Sequence, residues 1–294
     1  MQSQPFGIVV VAYNPELPAF TAKLRTWAQV CPHIVVANNG DPLTVKLPQV
    51  TILELDGNRG IAAAHNAGIA KLKADGVAYA FLMDQDSSVS GSFFNAMWAQ
   101  WPVVQAAVPQ LGMLSPLVKD VHLHKQLPIF QIQNNAITTV QPQPAQAAYL
   151  TETLPIASGC LVAVSAFDAV DGEKADWFID WVDFEFALAL RRQGLAVATT
   201  TAVEMAHQIG QTEPRRFLTK TIYPSNAPVF RDYYYVRNGL LLYRTYGSEI
   251  EGLKRFVSKK ITNRFLFAFY EGQTFKRLGQ LVRGVFAGSR ARVE

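Results

Sequence analysis

The feature that most constrains the fold is a series of short, wholly apolar segments that alternate with helical ones over the first 85 residues. Residues 7–12, 33–37 and 78–83 are continuous apolar runs bounded by turn residues, a pattern typical of strands buried on both faces. The stretches 18–30 and 61–73 instead carry apolar residues at helical spacing. This order indicates parallel βαβ units. We therefore predict an α/β fold with a mostly parallel sheet flanked by helices.

The middle of the chain is less regular. A helix over 92–101 and a strand over 111–114 are followed by a Gln- and Pro-rich region, 121–149, that predicts a loop or an irregular hairpin. Residues 154–164 are predicted to be extended, 187–192 to be helical and 195–200 to form a strand. Cys31 and Cys160 lack metal-ligand spacing and are predicted to be buried, reduced thiols. No run of apolar residues has the length of a membrane-spanning helix and no signal-peptide pattern is present, so we expect a cytoplasmic protein.

The positive charge is concentrated at the C-terminus. The formal net charge is +4, but residues 251–294 hold ten Lys and Arg against three Glu. Two apolar stripes at helical spacing, one within 250–265 and one within 275–286, predict basic amphipathic helices. We therefore predict a basic helical extension, 247–294, after a domain of residues 1–246. The extension is expected to contact an anionic surface, or to pack on the larger domain or on a second copy of the chain.

Carboxylates follow the strand at 78–83 directly. Asp84 and Asp86 would lie at the rim of a sheet where α/β folds bind ligands, and hard oxygen ligands suit a divalent cation that bridges phosphates. The alternative is that they only solvate a strand end. Tyr13, Asn14 and Asn39 follow the first two strands, and they either contact a base and ribose at the same rim or serve only to reverse the chain.

A glycine-containing loop opens the helix at residue 61. The exposed backbone N–H groups of such a loop suit a diphosphate, with Arg59 as a cation. The plainer interpretation is an ordinary helix start with Asn58 as its cap. The loop matches neither GxGxxG nor a P-loop, so it gives little support to a dehydrogenase or an ATPase.

Acidic residues recur at 180–185. Asp180, Asp183 and Glu185 lie within six residues, and a partly buried carboxylate among aromatic residues suits a general base, although it could also cap a helix. His207 is either structural or a third metal ligand. His122 and His124 are predicted to be surface residues, and no zinc-ligand spacing is present.

Taken in order, these motifs resemble a known enzyme family. The ordered set resembles family 2 glycosyltransferases of the GT-A fold, in particular the bacterial rhamnosyltransferase branch. Its members are Val-Ala-Tyr-Asn-Pro, Asn-Asn-Gly, Gly-Asn-Arg-Gly-Ile-Ala-Ala-Ala-His-Asn, Leu-Met-Asp-Gln-Asp-Ser-Ser, Ala-Ser-Gly-Cys, Ile-Asp-Trp-Val-Asp-Phe-Glu and His-Gln-Ile-Gly. The resemblance covers roughly residues 6–246 and includes Tyr-Tyr-Tyr-Val-Arg-Asn at 233–238.

The resemblance implies roles for individual residues. Asp84, Asp86 and His207 would hold Mg²⁺ or Mn²⁺, and Asp183 would be the catalytic base. Because Val182 precedes it where the family has Glu, Asp180 and Glu185 remain alternatives for the base. The nucleotide sugar would be contacted by Tyr13, Asn14, Asn39, Asn58, Arg59, Asn66, Asp84, Gln85, Ser158, Gly159 and Glu185.

The implied reaction is inverting transfer of a deoxysugar, L-rhamnose from dTDP-L-rhamnose, to a glycan or lipid-linked glycan acceptor in bacterial cell-surface polysaccharide synthesis. Peripheral contact with an anionic membrane and a homodimer are the expected associations, and nucleic acid is not an expected partner. Three alternatives stay open: a UDP-hexose donor, a non-catalytic sugar-nucleotide-binding scaffold, and a nucleotidyltransferase. The last is disfavoured because it would need a Gly-rich basic N-terminal signature.

Overall fold

The computed structural model describes residues 5–121, 125–141, 147–207, 214–217 and 220–292. It contains two compact units. The first consists of Met1–Gln131, Thr139–Phe178 and Asp183–His207, and the second of Ile132–Thr138, Ile179–Val182 and Gln208–Glu294. The predicted domain boundary at residue 246 stays a prediction.

Thirteen strands are formed by the described residues. They are β1 Phe6–Ala12, β2 Ile34–Asn38, β3 Val50–Glu54, β4 Tyr79–Asp84, β5 Leu111–Asp120, β6 Lys125–Gln126, β7 Ile129–Gln133, β8 Ala136–Val140, β9 Tyr149–Thr151, β10 Leu161–Ala163, β11 Ala196–His207, β12 Arg215–Phe217 and β13 Lys220–Ile222.

Nine of these strands form one sheet in the first unit. Its order is β3-β2-β1-β4-β10-β5-β11-β9, with β6 paired to β5. Strands β1 to β4 are parallel, as are β5 and β11, whereas β10 lies antiparallel between β4 and β5. The predicted α/β fold, with a mixed and mostly parallel sheet flanked by helices, is confirmed.

In the part of the chain that the structure describes, eight α-helices connect or follow these strands. They are α1 Leu17–Trp27, α2 Ile61–Ala74, α3 Gly91–Ala107, α4 Val164–Asp168, α5 Val182–Arg192, α6 Arg231–Tyr246, α7 Leu253–Phe267 and α8 Thr274–Arg290. A short 3-10 helix, Ala175–Trp177, precedes α5. Helices α1 and α3 meet through Trp27 and Phe94, whose rings are 5.4 Å apart and nearly perpendicular. Both side chains are fully buried, so the aromatic residues of these helices form core on one side of the sheet.

Two segments differ from the sequence prediction. β3 is an edge strand that pairs only with β2, and its half-exposed, partly polar sequence lacks the continuous apolar run that marks the central strands. Residues 154–164 are not extended throughout, because a turn includes Ser158 and Gly159 and helix α4 already begins at Val164. The predicted hairpin region is confirmed by the pairing of β7 with β8.

The second unit contains α6, α7 and α8, with a small apolar core. Val236, Ala268 and Leu281 are completely buried there. Beside that core, two arginines and two carboxylates form a buried ion network: Asp232 binds Arg264 and Arg277, and Glu271 binds the same two arginines at 2.5 and 3.2 Å. Arg264 and Arg277 of the predicted basic extension are therefore buried in this network.

Candidate active site

Two carboxylates and an imidazole converge at the rim of the sheet. Ligand atoms of Asp84, Asp86 and His207 all lie within 4.8 Å of one another, and the Nε2 atom of His207 is 4.0 Å from Oδ2 of Asp84. The Nδ1 atom of His207 is buried and has no hydrogen-bond partner among the described residues. The three predicted ligands thus lie together as a candidate metal-binding group, and their binding of an ion stays a prediction.

Strand geometry explains why Asp84 and His207 meet although they are 123 positions apart. Asp84 is the last residue of β4, where it pairs with Val11 of the central strand β1. β11 runs parallel to β5, and its register relative to β5 shifts between Thr199 and Glu204. After this shift, His207 lies opposite Asp120. Both strands therefore deliver their last residue to the rim where α/β sheets bind ligands.

The donor set fits a hard divalent cation. Carboxylate oxygens suit Mg²⁺ and Mn²⁺, and an imidazole favours Mn²⁺. Adjacent ligands of an octahedral Mg²⁺ lie about 3 Å apart, so the three side chains would have to approach one another on binding. Asp86 is exposed and free to rotate toward an ion, whereas Asp84 is half-buried and His207 is buried.

Gln85, predicted to contact the nucleotide sugar, holds two loops together. Its side-chain oxygen accepts a hydrogen bond from the Tyr13 backbone N–H at 2.6 Å, and its amide donates to the Tyr13 carbonyl at 3.2 Å. The Tyr13 ring is 53% exposed and so is accessible to a planar ligand. Lys23, which the sequence analysis did not single out, donates to the Gln85 carbonyl. Burial lowers the pKa of Lys23, and the Asp86 and Asp84 carboxylates oppose that shift.

The amide side chains at the ends of β1 and β2 order the loops of this rim. Asn14 adopts a left-handed backbone and accepts a hydrogen bond from the Asp41 N–H at 2.7 Å. Asn39 is buried, accepts from the Arg59 N–H at 2.8 Å and donates to the Gly60 carbonyl at 3.1 Å. Each of the two side chains thus already has a hydrogen-bond partner within the protein. Their contact with a nucleotide stays a prediction.

The loop before α2 ends in a glycine at the N-cap position of the helix. Gly60, with a φ of 85°, precedes the first residue of the helix, and Asn58 accepts its N–H at 3.0 Å. Asn58 therefore forms a local turn and is not the helix cap. A side chain at Gly60 would come within 2.5 Å of the Phe178 carbonyl oxygen. Among the described residues, the Arg59 side chain donates a hydrogen bond to the Leu55 carbonyl at 3.4 Å, and it is exposed, so a phosphate could reach it.

A buried pair lies behind the rim on α2. His65 is 1% exposed, and its Nδ1 atom is 2.9 Å from the Glu173 carboxylate. Asn66 donates to the Glu173 carbonyl at 2.7 Å and accepts its N–H at 2.9 Å. Burial alone would lower the pKa of His65, but the charge of Glu173 raises it above its ordinary value, and Asp84 and Asp183 add to this effect. Asn66, predicted to lie beside the nucleotide, thus fixes the segment that leads to α5.

The Ser158-Gly159 motif packs under the acidic residues. The hydroxyls of Ser158 and Ser87 are 2.6 Å apart and both residues are buried, while the Asp84 N–H donates to Ser158 at 3.3 Å. Gly159 has a φ of 86°, and a side chain there would approach the Met205 sulfur to 2.7 Å. Both residues support the position of Asp84, and direct contact with a ligand stays a prediction.

The three candidate bases have different surroundings. Asp183 lies in the first turn of α5, is partly exposed, and accepts the Phe184 N–H at 2.9 Å. Asp180 forms a two-bond ion pair with Arg231 at 2.6 and 3.1 Å, and Glu185 is 1% exposed. Asp183 combines partial exposure with a place in the first turn of α5, and the identity of the base stays a prediction.

The two thiols of the first unit are buried, and burial raises their pKa values. Burial raises the pKa of Cys160 well above its ordinary value, and Asp183 and Glu173 raise it further. Burial likewise raises the pKa of Cys31 to about 12. Both cysteines are free and buried, as predicted. Covalent catalysis through a thiolate is therefore disfavoured.

A cleft of about 600 Å³ opens beside Asp86. Its wall is formed by α1 and by the loop after β4, with Lys23, Thr26 and Ser88 among the lining residues. This volume is in the range of small-molecule sites. His122, His124 and Gly210, which the sequence analysis considered, lie outside the described residues.

Comparisons with known proteins give one significant relative by sequence. No protein-family model matches the chain. A curated dTDP-rhamnosyl transferase, RfbF of Shigella flexneri, is 28% identical over 241 residues, covering 80% of this chain and 79% of the relative. Among solved structures, S. aureus TarS aligns with a TM-score of 0.47 and 10% identity, over 70% of this chain but only 37% of the TarS chain. The resemblance to bacterial rhamnosyltransferases that the motifs indicated is confirmed by the first of these relatives.

Proposed function

We propose that this chain is an inverting glycosyltransferase that transfers L-rhamnose from dTDP-L-rhamnose to a hydroxyl group of a glycan acceptor in the synthesis of a bacterial cell-surface polysaccharide. The observation that carries the proposal is the convergence of Asp84, Asp86 and His207 at the carboxyl ends of β4 and β11. The similarity to a curated dTDP-rhamnosyl transferase supports the choice of donor.

Asp84, Asp86 and His207 would hold a Mg²⁺ or Mn²⁺ ion. When bound, such an ion supplies positive charge to the diphosphate that leaves the sugar. The residues of the chain add to this at the same rim: Arg59 is exposed and can pair with a phosphate, and the exposed Tyr13 ring can stack on the base.

Asp183 would act as the general base. The acceptor oxygen forms a bond to the anomeric carbon as the bond from that carbon to the diphosphate oxygen breaks, and the hydroxyl proton passes to the Asp183 carboxylate. Attack from the side opposite the leaving group inverts the configuration. The ion pair of Asp180 with Arg231 and the burial of Glu185 favour Asp183 over both alternatives.

The proposal is tested by replacing Asp183 with asparagine. We expect kcat to fall by about 10²- to 10⁴-fold, because the base is lost while the shape of the side chain is kept. The affinity for dTDP-rhamnose with Mn²⁺, measured by thermal shift, should stay within about twofold. Asp171→Asn is the matched control, since Asp171 is an exposed carboxylate with a left-handed backbone that asparagine tolerates.

Two results would count against the proposal. An Asp183→Asn enzyme with more than a tenth of wild-type turnover would remove Asp183 from the base role. Stabilisation of the wild-type protein by UDP-hexoses in preference to dTDP-rhamnose would remove the proposed donor and leave a transferase of different specificity.

A further inference from the structure

One side of α8 is apolar and exposed. Phe275 is 90% exposed, Phe286 57% and Val282 45%, and their spacing of seven and four residues places them along one line of the helix. We call these three residues the α8 face. It extends over about 16 Å at 1.5 Å per residue. Large apolar side chains exposed together in this way mark a surface that contacts another phase or molecule.

The opposite side of α8 already has its partner within the unit. Leu281, Gly284 and Gly288 are buried, and a side chain on Gly284 would lie 2.6 Å from the Tyr233 carbonyl oxygen of α6. The absence of side chains at the two glycines thus lets α8 pack closely on α6. Packing within the unit accounts for the buried side of the helix and leaves the α8 face uncovered.

The segment that carries this face is rich in cations and poor in carboxylates. Between residues 252 and 292 the sequence has a single carboxylate, Glu271. Glu271 is buried with Arg264 and Arg277 in the ion network, with side-chain exposures of 0 to 6%. The other basic residues at exposed positions are Lys254, Arg255, Lys259, Lys276, Arg283, Arg290 and Arg292. The ion network therefore withdraws the only negative charge of this segment from its surface.

The cations lie immediately beside the apolar side chains. Arg290 stands over the ring of Phe286 at 5.6 Å, and Arg283, which is exposed, follows Val282 in the chain. Phe269, 64% exposed, lies in the turn between α7 and α8. Aromatic and aliphatic side chains bordered by Lys and Arg are the composition of helices that lie in the headgroup region of anionic bilayers.

We propose that the α8 face docks on the surface of an anionic lipid bilayer, with α8 parallel to the membrane plane. Phe275, Val282 and Phe286 enter the boundary between headgroups and acyl chains, while the neighbouring Lys and Arg contact lipid phosphates. Within the described residues, none of the helices combines the length and apolar character needed to cross a bilayer. This surface goes beyond the proposed transfer reaction and does not depend on it.

Other occupants fit these observations less well. A second copy docked through the same face about a two-fold axis would place its cations against those of the first. A nucleic acid would bind the cations through its phosphates. Such binding does not explain why Phe275 is 90% exposed. An anionic bilayer accounts for both the apolar face and the uniform charge.

The test is sedimentation of the full chain with vesicles. Wild-type protein is expected to bind vesicles of equal parts phosphatidylglycerol and phosphatidylcholine, and to bind pure phosphatidylcholine about tenfold or more weakly. Phe275→Ser with Phe286→Ser should lower binding to the anionic vesicles by about tenfold or more. Val103→Ser on α3, where Val103 is 55% exposed, is the control for loss of an exposed apolar side chain.

Charge reversal gives a second arm. Arg283→Glu with Arg290→Glu should also reduce binding about tenfold or more, whereas Arg25→Glu with Lys46→Glu changes the net charge equally at exposed positions of the first unit and should not. Circular dichroism and thermal unfolding verify that each variant is folded.

Three outcomes would overturn the proposal. The first is no binding of wild-type protein to anionic vesicles. The second is binding that charge reversal abolishes but the Phe variant does not change, which would indicate a polyanion site without insertion. The third is a dimer in light scattering that the Phe variant converts to monomers, which would make the α8 face a contact between copies.

Discussion

Replacing Asp232 with asparagine is expected to destabilise the three-helix part of the second unit by about 4 kcal/mol. Asp232 is completely buried, and its two oxygens bind Arg264 and Arg277 separately. Glu271 contacts both guanidinium groups as well, so two cations balance two anions. Asparagine keeps the shape of the side chain but removes one negative charge, which leaves one buried cation without compensation.

The magnitude follows from burial. Removing one partner of a buried ion pair costs about 3–5 kcal/mol, because the remaining charge has no access to water. Arg264 cannot escape by releasing its proton, because a guanidinium group stays protonated in proteins. In the native network burial alone would lower its pKa, but the hydrogen bonds that it donates to Glu271 and Asp232 raise its pKa above the ordinary value. The loss should therefore appear in full in the free energy of unfolding.

Urea is the appropriate denaturant, since guanidinium chloride would screen the charges under study. With a urea dependence of about 2 kcal/mol per molar, the unfolding midpoint should fall by about 2 M. Asp168→Asn is the matched control, because its 2.7 Å ion pair with Lys73 has side chains that are 45 and 57% exposed. That pair should contribute about 0–1 kcal/mol. Equal losses in the two variants would refute the reasoning from burial.

Three further predictions concern the first unit. His207→Ala should weaken Mn²⁺ binding by about tenfold or more in calorimetric titration, and an unchanged affinity would exclude His207 as a ligand. Gly60→Ala should cost about 1–3 kcal/mol in urea unfolding, because φ is +85° and the new Cβ would lie 2.5 Å from the Phe178 carbonyl oxygen; a neutral effect would contradict that backbone. Since the folded-state pKa of His65 is raised above 6.5, its pairing with Glu173 stabilises the protein fully below pH 6.5 and loses that effect as the pH rises through the folded-state pKa. Glu173→Gln should therefore cost more free energy of unfolding at pH 6 than at pH 9, and an equal cost at both would contradict the assignment.

The sequence predicted those parts of the site that follow from local pattern. Asp84 and Asp86 end an unbroken apolar run, so that a strand and its rim could be inferred together. His207 was identified from its motif, and the register shift in β11 that carries it to Asp84 leaves no mark in hydrophobic periodicity. The edge strand β3 and helix α6 escaped prediction, the first because it is short and half-exposed.

The partners of polar side chains could not be predicted. Asn66 and Glu173 are 107 residues apart, and nothing in either local sequence indicates that they meet. Lys23 resembles any other lysine of an amphipathic helix until the fold places it on the Gln85 carbonyl. The sequence places Arg264 and Arg277 among the basic residues of the extension, and only the packing of α6, α7 and α8 shows that they are buried.

By itself, the sequence determined the α/β class, the position of the acidic rim, the resemblance to rhamnosyltransferases and the basic amphipathic character of the C-terminus. These follow from hydrophobic periodicity and from short motifs, which act within a few residues along the chain. Only the tertiary structure decided which carboxylate is paired with an arginine and which asparagine side chains form hydrogen bonds within the protein. It also decided which cations remain exposed beside Phe275 and Phe286. Those outcomes depend on contacts between distant segments, where burial and charge compensation are set by the folded chain as a whole.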